Sequence, residues 1–245
     1  MAKRDRTQNP KVHDRWNKAG RGQGRGANYQ PWLSIQDFAG MTKCARIKGW
    51  TTGRTHHLFN RLELDAFYLL DWDNTITDIR EQFPIPLEES TRIATELNIP
   101  HPKTGGGFVV FTTTFLINRG KDVVALDIAP TPTSRNQIAE AYWKTQKVSY
   151  QFWGLEEIKK PAVAIIEWIH GYRTQPLKIS EPELFAQMEK SPSIKDAARI
   201  LDEKYGMGAA IQTFRTLLAT KQWGVDMETP INLQNPLSLT HRHAH

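Results

Sequence analysis

The chain has 245 residues, with a hydrophobic content of 39% and a charged content of 24%, which are ordinary values for a globular protein of one or two domains. Its single cysteine, Cys44, excludes an internal disulfide and a cysteine-rich zinc site, and it favours a reducing compartment such as the bacterial cytoplasm. The polar start does not resemble a secretory signal, and no segment has the roughly 18 apolar residues of a membrane helix, so we expect no membrane partner.

The positive charge is concentrated near the N-terminus. The net charge is +6, and residues 1–30 hold eight of the 32 basic and two of the 26 acidic residues, which leaves 24 of each sign elsewhere. A basic segment on a neutral body predicts a polyanionic partner such as DNA. We interpret residues 1–30 as a basic flexible arm in which Lys18, Arg21 and Arg25 contact phosphates along the run "GRGQGRG". A solvated linker is the alternative.

The following segment has the pattern of a mixed α/β domain, which we place at residues 31–172. Helical spacing after Asn60, a good N-cap residue, predicts the first helix of this domain. The predicted elements are, in chain order, a helix over 60–72, a strand ending before Pro84, a short helix over 90–97, strands over 108–118 and 122–129, a helix over 134–146 and a strand over 148–154. Because the two strands in the middle are joined by a tight turn, we expect them to form a hairpin.

Residues 173–245 form a second predicted domain with the order of a winged helix. Three helices are expected to start after Ser180, Ser193 and Gly206, and a hairpin of 223–227 with 231–239 would follow them. The later helix of such a module usually enters the DNA major groove, where it would present Arg215 and Lys221. Docking to a protein is the alternative, because this domain has no basic excess. We expect the tail "HRHAH" to be disordered.

Four stretches, taken together and in order, resemble the TnsA family. They are "GRGQGRGANYQPWLSIQDF", "TTGRTHHLFNRLELDAFYLLDW", "ITDIREQFPI" and the hairpin "FTTTFLINRGKDVVALDIAP" with the "AYW" that follows it. The resemblance implies a restriction-endonuclease-like fold followed by a winged-helix domain. It also implies a Mg²⁺-dependent endonuclease subunit of a transposon-seven-like transposase, which nicks the 5′ ends of the transposon. The implied partners are DNA, the DDE transposase TnsB, which cuts and joins the 3′ ends, and the regulatory ATPase TnsC.

The resemblance also places a catalytic centre on four positions of this chain. Glu63 matches the family's helical glutamate, and Asp127 stands where the family has glutamine or glutamate. Thr114 stands in place of the central aspartate, and Ala129 stands in place of the lysine. Mg²⁺ needs converging oxygen ligands, and a lysine would orient the attacking water, so these two changes predict impaired nicking and weak or absent Mg²⁺ binding at Glu63 and Asp127.

Other interpretations of these residues remain open at this stage. Glu63 lies three residues after Asn60, where a capping-box glutamate belongs. Lys144 on the next helix is a remote candidate for a migrated lysine, and we expect His56 and His57 to form hydrogen bonds rather than to bind a metal. The main hypothesis is an impaired TnsA-type subunit that acts at transposon ends, with an active TnsA paralogue as a further partner. The alternatives are an active endonuclease with a rearranged centre and a stand-alone winged-helix regulator.

Overall fold

The computed structural model describes residues 8–38, 43–105 and 107–243. The chain divides into two compact units, Met1–Ile158 and Lys159–His245. The sequence prediction placed this boundary between residues 172 and 173. The helix over Lys160–Ile169 accounts for the difference, because its side chains pack within the second unit.

The N-terminal segment is folded where the structure describes it. Helix α1 covers Pro10–Lys18 and begins at Asn9, whose side-chain oxygen accepts the Val12 N–H at 3.0 Å. Val12 and Trp16, four residues apart on one helical face, are buried together with Trp32 and Val110. The prediction of a flexible arm is therefore wrong for residues 8–30, because an apolar helical face ties them to the domain. The part of the predicted arm over residues 1–7 lies outside the described residues.

The glycine-rich run is a tight loop against the body of the first unit. Gly22 and Gly24 have φ angles of +74° and +90°. A Cβ at Gly22 would lie 2.4 Å from a side-chain carbon of Pro84, and one at Gly24 would lie 2.5 Å from the carbonyl oxygen of Asn28. Glycine is thus required here for both backbone conformation and close packing.

The first unit is a mixed α/β domain built on a four-stranded sheet, as the sequence predicts. Its elements after α1 are β1 (Ala45–Lys48), β2 (Thr55–Leu58), α2 (Arg61–Trp72), β3 (Ile76–Pro84), α3 (Leu87–Glu96), β4 (Lys103–Thr104), β5 (Gly107–Phe108), β6 (Thr112–Arg119), β7 (Asp122–Ile128), α4 (Ser134–Thr145) and β8 (Ser149–Trp153). The main sheet has the order β3-β6-β7-β8. Strands β3, β6 and β7 are antiparallel neighbours, whereas β8 runs parallel to β7.

The site and the core under α3 and α4 share one face of β6 and β7 and lie at different positions along the strands. Leu116 pairs with Ala125 in the ladder, and both are buried against α3 and α4 through Ile93, Ile138 and Trp143. The ladder between β6 and β7 ends at Phe115 and Leu126. One residue beyond that pair, Thr114 and Asp127 lie opposite each other at the end of the sheet, beside the first turn of α4.

The second unit is mainly helical. It contains α5 (Lys160–Ile169), α6 (Glu181–Lys190), α7 (Ile194–Tyr205), α8 (Ala209–Ala219), β9 (Trp223–Gly224) and β10 (His241–Arg242). The three helices predicted after Ser180, Ser193 and Gly206 are present. Strand β9 pairs with β10 instead of with residues 231–239, so the predicted hairpin partner is wrong.

The tail is ordered as far as His243. Arg242 forms two hydrogen bonds with the carboxylate of Glu181, at 2.6 and 3.0 Å, and its guanidinium lies 3.7 Å from the centre of the Phe185 ring. These contacts explain why the prediction of a disordered tail fails here; residues 244–245 lie outside the described part of the chain. None of the helices within the described ranges is long and apolar enough to span a membrane.

Candidate functional site

A cleft of about 410 Å³ opens where the start of α2, the start of β6, the end of β7 and the start of α4 meet. All four positions that the family resemblance marks, Glu63, Thr114, Asp127 and Ala129, line this cleft. They come from α2, β6 and the end of β7, and Glu63 and Ala129 are 66 positions apart in the chain, so the tertiary fold brings them together. Lys144 lies near the far end of α4 and is exposed, outside the lining of the cleft.

Glu63 is both a capping residue and a wall of the cleft. Its backbone N–H donates to Oδ1 of Asn60 at 2.9 Å, and its carboxylate accepts the Phe59 N–H at 2.8 Å and the Asn60 side-chain amide at 2.9 Å. Burial raises the pKa of Glu63 to about 7, against the lowering effects of those hydrogen bonds and of Arg135. The carboxyl group is therefore partly protonated near neutral pH.

Asp127 has both oxygens occupied by protein donors. Oδ1 accepts the Thr114 N–H at 2.8 Å and the Thr114 hydroxyl at 3.3 Å. Oδ2 accepts the Asn136 amide at 3.1 Å and the Tyr150 hydroxyl at 3.0 Å. Burial, followed by the charge of Asp127, raises the pKa of Tyr150, so this phenol stays a hydrogen-bond donor. Four donors thus hold a carboxylate whose side chain is buried.

Thr114, at the position of the family's aspartate, lies just past the last paired residues of β6 and β7. Besides donating to Asp127, its hydroxyl accepts the Ile128 N–H at 3.2 Å, so one side chain bridges β6 and β7 where the ladder ends. Ala129, on the same cleft, contributes only a methyl group. The described residues contain no group of three or more His, Cys, Asp or Glu side chains that could hold a metal ion.

Arg135 and Asn136, which the sequence analysis did not select, are part of the cleft. Nη2 of Arg135 donates to the Thr112 carbonyl at 3.0 Å, and the guanidinium lies 5.0 Å from the centre of the Phe111 ring. The arginine occupies the first turn of α4, where the helix dipole disfavours a cation. That unfavourable placement is a sequence signal that could have identified Arg135.

Gln82 shows that the wall of the cleft is under local strain. It lies within β3, between the paired residues Glu81 and Phe83, yet its φ angle is +51°, in the left-handed region that costs a non-glycine residue about 1–2 kcal/mol. Its side-chain oxygen accepts the Thr112 hydroxyl at 2.7 Å, and its carbonyl accepts the Trp32 N–H at 3.2 Å. Gln82 also lines the cleft, so the motif "DIREQFP" contributes both to β3 and to the wall of the cleft.

Glu81, next to Gln82, is fully buried at the centre of a hydrogen-bonded network. His56 Nδ1 lies 2.8 Å from its carboxylate, and Arg54 donates to both of its oxygens. Burial alone would raise the pKa of Glu81, but His56 and Arg54 lower it to about 2. Nε2 of His56 contacts the Thr52 hydroxyl at 2.7 Å, and His57 accepts the Ile35 N–H at 3.2 Å. Both histidines lie on strand β2 and form hydrogen bonds, as predicted.

The residues predicted to contact DNA differ in their surroundings. Lys18 and Arg25 are exposed and lie outside the cleft. Arg21 forms two hydrogen bonds with Asp37, at 2.6 and 3.1 Å, and stacks on Trp16. Arg215 stacks on Tyr172 and donates to its hydroxyl at 2.8 Å. Lys221 follows the end of α8 instead of lying on it, with a φ angle of +60°.

The mixed sheet, with a glutamate from α2 and an aspartate from β7 in one cleft, is consistent with the restriction-endonuclease-like class of proteins. No family model matches the chain. Over 197 residues the chain is 32% identical to "Transposon Tn7 transposition protein TnsA" of Escherichia coli, an alignment that covers 76% of this chain and 69% of that protein. The chain therefore belongs to the TnsA family, which confirms the resemblance seen in the sequence.

Proposed function

We propose that this chain is a TnsA-type subunit of a transposon-seven-like transposition complex that holds transposon-end DNA without cutting it. The observation that carries the proposal is the state of Asp127, whose two oxygens accept four hydrogen bonds from three side chains and one backbone amide. Relatedness to the TnsA protein of Tn7 supports the transposition context and the DNA partner.

The residues of the cleft do not fit Mg²⁺. This ion takes six oxygen ligands in near-octahedral geometry. Here the oxygens of Asp127 are turned to Thr114, Asn136 and Tyr150, and those of Glu63 are turned to the start of α2. Metal binding would break these hydrogen bonds in a buried site, and Thr114 offers a neutral hydroxyl in place of a bridging carboxylate. We therefore assign no catalytic step to a metal in this chain.

The partners follow from the family. A TnsB-type transposase would cut and join the 3′ ends, a TnsC-type ATPase would regulate the complex, and an active TnsA paralogue would nick the 5′ ends. We propose that the second unit is a winged-helix module that docks on these proteins. The engagement of Arg215 with Tyr172 and Trp168 supports this role, because a guanidinium held by two rings and a carbonyl has few donors left for DNA.

The test is a strand-specific cleavage assay of the unaltered chain with the transposase partner, transposon-end DNA and Mg²⁺. We expect the 5′ strands to stay intact. Thr114→Asp and Ala129→Lys together should raise nicking more than either change alone, because catalytic residues act as a unit. Metal-dependent nicking by the unaltered chain would instead favour an active endonuclease with a rearranged centre. DNA binding without association with either partner protein would favour the stand-alone regulator.

A further inference from the structure

The charged residues of the cleft differ in exposure. Glu63 and Asp127 are 8% and 7% exposed and point to their own donors, whereas Arg135 is an exposed residue. Among the described residues that line the cleft, these three are the ionisable ones. A ligand in the cleft therefore finds one guanidinium beside two carboxylates that are engaged by protein donors.

Arg135 is held in place by contacts that leave most of its donors available. The guanidinium carbon lies 5.0 Å from the centre of the Phe111 ring, and Nη2 donates to the Thr112 carbonyl at 3.0 Å. A guanidinium has five N–H donors in a rigid fork, which matches two oxygens of a phosphate. Since the first turn of a helix disfavours a cation, helix stability does not explain this arginine.

The acidic groups of the cleft accept hydrogen bonds from neighbouring protein donors. Asn136 and Tyr150 direct their donors to Asp127, which offsets its charge within the protein. The Glu63 carboxylate likewise accepts the Phe59 N–H and the Asn60 amide at the start of α2. Both carboxylates are thus engaged by protein donors, and the guanidinium of Arg135 is the charged group of the cleft with N–H donors to offer an anion.

We propose that this cleft binds a backbone phosphate of DNA through Arg135, without a metal ion. The position that would hold the reacting phosphate in a nuclease becomes a binding site for an uncut phosphodiester. This inference rests on the proposed function, since it needs the chain to bind DNA, and it adds the residue and the chemistry by which the cleft would do so.

The experiment measures binding of a short duplex oligonucleotide to the full chain by fluorescence anisotropy, in EDTA and over a series of salt concentrations. Loss of one phosphate contact should lower the slope of log K against log salt by about 1, so we expect this change in Arg135→Ala. Arg135→Lys keeps the charge and should keep the slope close to that of the unaltered chain. Arg119→Ala, which removes a partly exposed arginine at the opposite end of β6, is the matched control and should leave the slope unchanged.

An unchanged slope in Arg135→Ala, or an equal fall in Arg119→Ala, would overturn the proposal. Thermal unfolding of each variant separates binding from folding; if Arg135→Ala does not fold, the comparison moves to Arg135→Gln, which keeps a polar side chain and the same prediction. A nicking assay with Mg²⁺ is run in parallel. Nicking by the unaltered chain would refute the non-cutting function, whereas the slopes in EDTA decide the phosphate site independently.

Discussion

Thr114 and Asp127 are joined by two hydrogen bonds to the same carboxylate oxygen, one from the backbone amide at 2.8 Å and one from the hydroxyl at 3.3 Å. Thr114, which stands where the family has an aspartate, therefore donates hydrogen bonds to the neighbouring carboxylate of Asp127. The consequence is a cleft whose floor is organised by hydrogen bonds between protein groups.

Thr114→Asp should destabilise the protein. It would place a second carboxylate against Asp127 and remove the hydroxyl that accepts the Ile128 N–H. We expect a loss of about 1–3 kcal/mol of unfolding free energy, with part of it recovered when Ala129→Lys adds a cation. Denaturant unfolding measures this, with Thr114→Ser as the control that keeps the hydroxyl. Equal stability of Thr114→Asp and the unaltered chain would contradict the account of this pair.

Glu63 should make stability depend on pH. Its folded pKa of about 7 lies above the ordinary value of 4.5, so the folded state binds the proton more tightly. The stabilisation from this group is complete below about pH 4.5 and is lost as the pH rises through about 7, by up to about 3 kcal/mol. The unfolding free energy of the unaltered chain, relative to Glu63→Gln, should therefore fall between about pH 5 and about pH 8. Parallel pH profiles of the two proteins would refute this.

The buried network around Glu81 should be among the most sensitive parts of the first unit. Glu81→Gln leaves Arg54 and His56 without their shared carboxylate, and breaking a buried pair of this kind costs about 3–5 kcal/mol. Arg92→Ala, which removes an exposed pair on α3, is the control and should leave the unfolding midpoint nearly unchanged. Similar midpoints for both variants would show that the network does not stabilise the fold.

The exposed N-terminal cations should contribute to DNA binding, and the one that is paired within the protein should not. Lys18 and Arg25 are exposed, so changing both to alanine should lower the slope of log K against log salt by about 2 if each contacts a phosphate. Arg21→Ala should instead lower the melting temperature and leave the slope unchanged, because Arg21 is bound to Asp37. The prediction fails if Arg21→Ala lowers the slope as much as the change of Lys18 and Arg25 does per residue.

The second unit should fold alone only with α5. Ile165, Ile166 and Ile169 on this helix are buried, and Trp168 packs against Phe214 of α8 with the ring centres 6.1 Å apart. A fragment of residues 159–245 should unfold cooperatively, whereas one of residues 173–245 should expose the face of α8 and lose cooperativity. Calorimetry of both fragments makes the comparison, and equal cooperativity would show that α5 is dispensable.

The sequence by itself determined the elements whose signal is local. Asn60 caps α2 as predicted, and Ile194, Ala197 and Leu201, which recur at helical spacing, are buried on one face of α7. The family motifs also identified the four cleft positions. Each of these signals acts within a few residues of chain or by likeness to a known pattern, so no contact between distant segments is needed to detect it.

Only the tertiary structure decided the state of the site and of the cationic segments. Asp127 is saturated by Asn136 and Tyr150 because α4 and β8 fold back beside β7, and Arg21 becomes an internal partner of Asp37 because α1 buries Trp16. The charge and composition of an N-terminal segment are the same whether the segment is flexible or packed against the domain. Whether a charged group faces solvent or a protein donor depends on contacts between segments far apart in the chain, and those contacts arise only when the core forms.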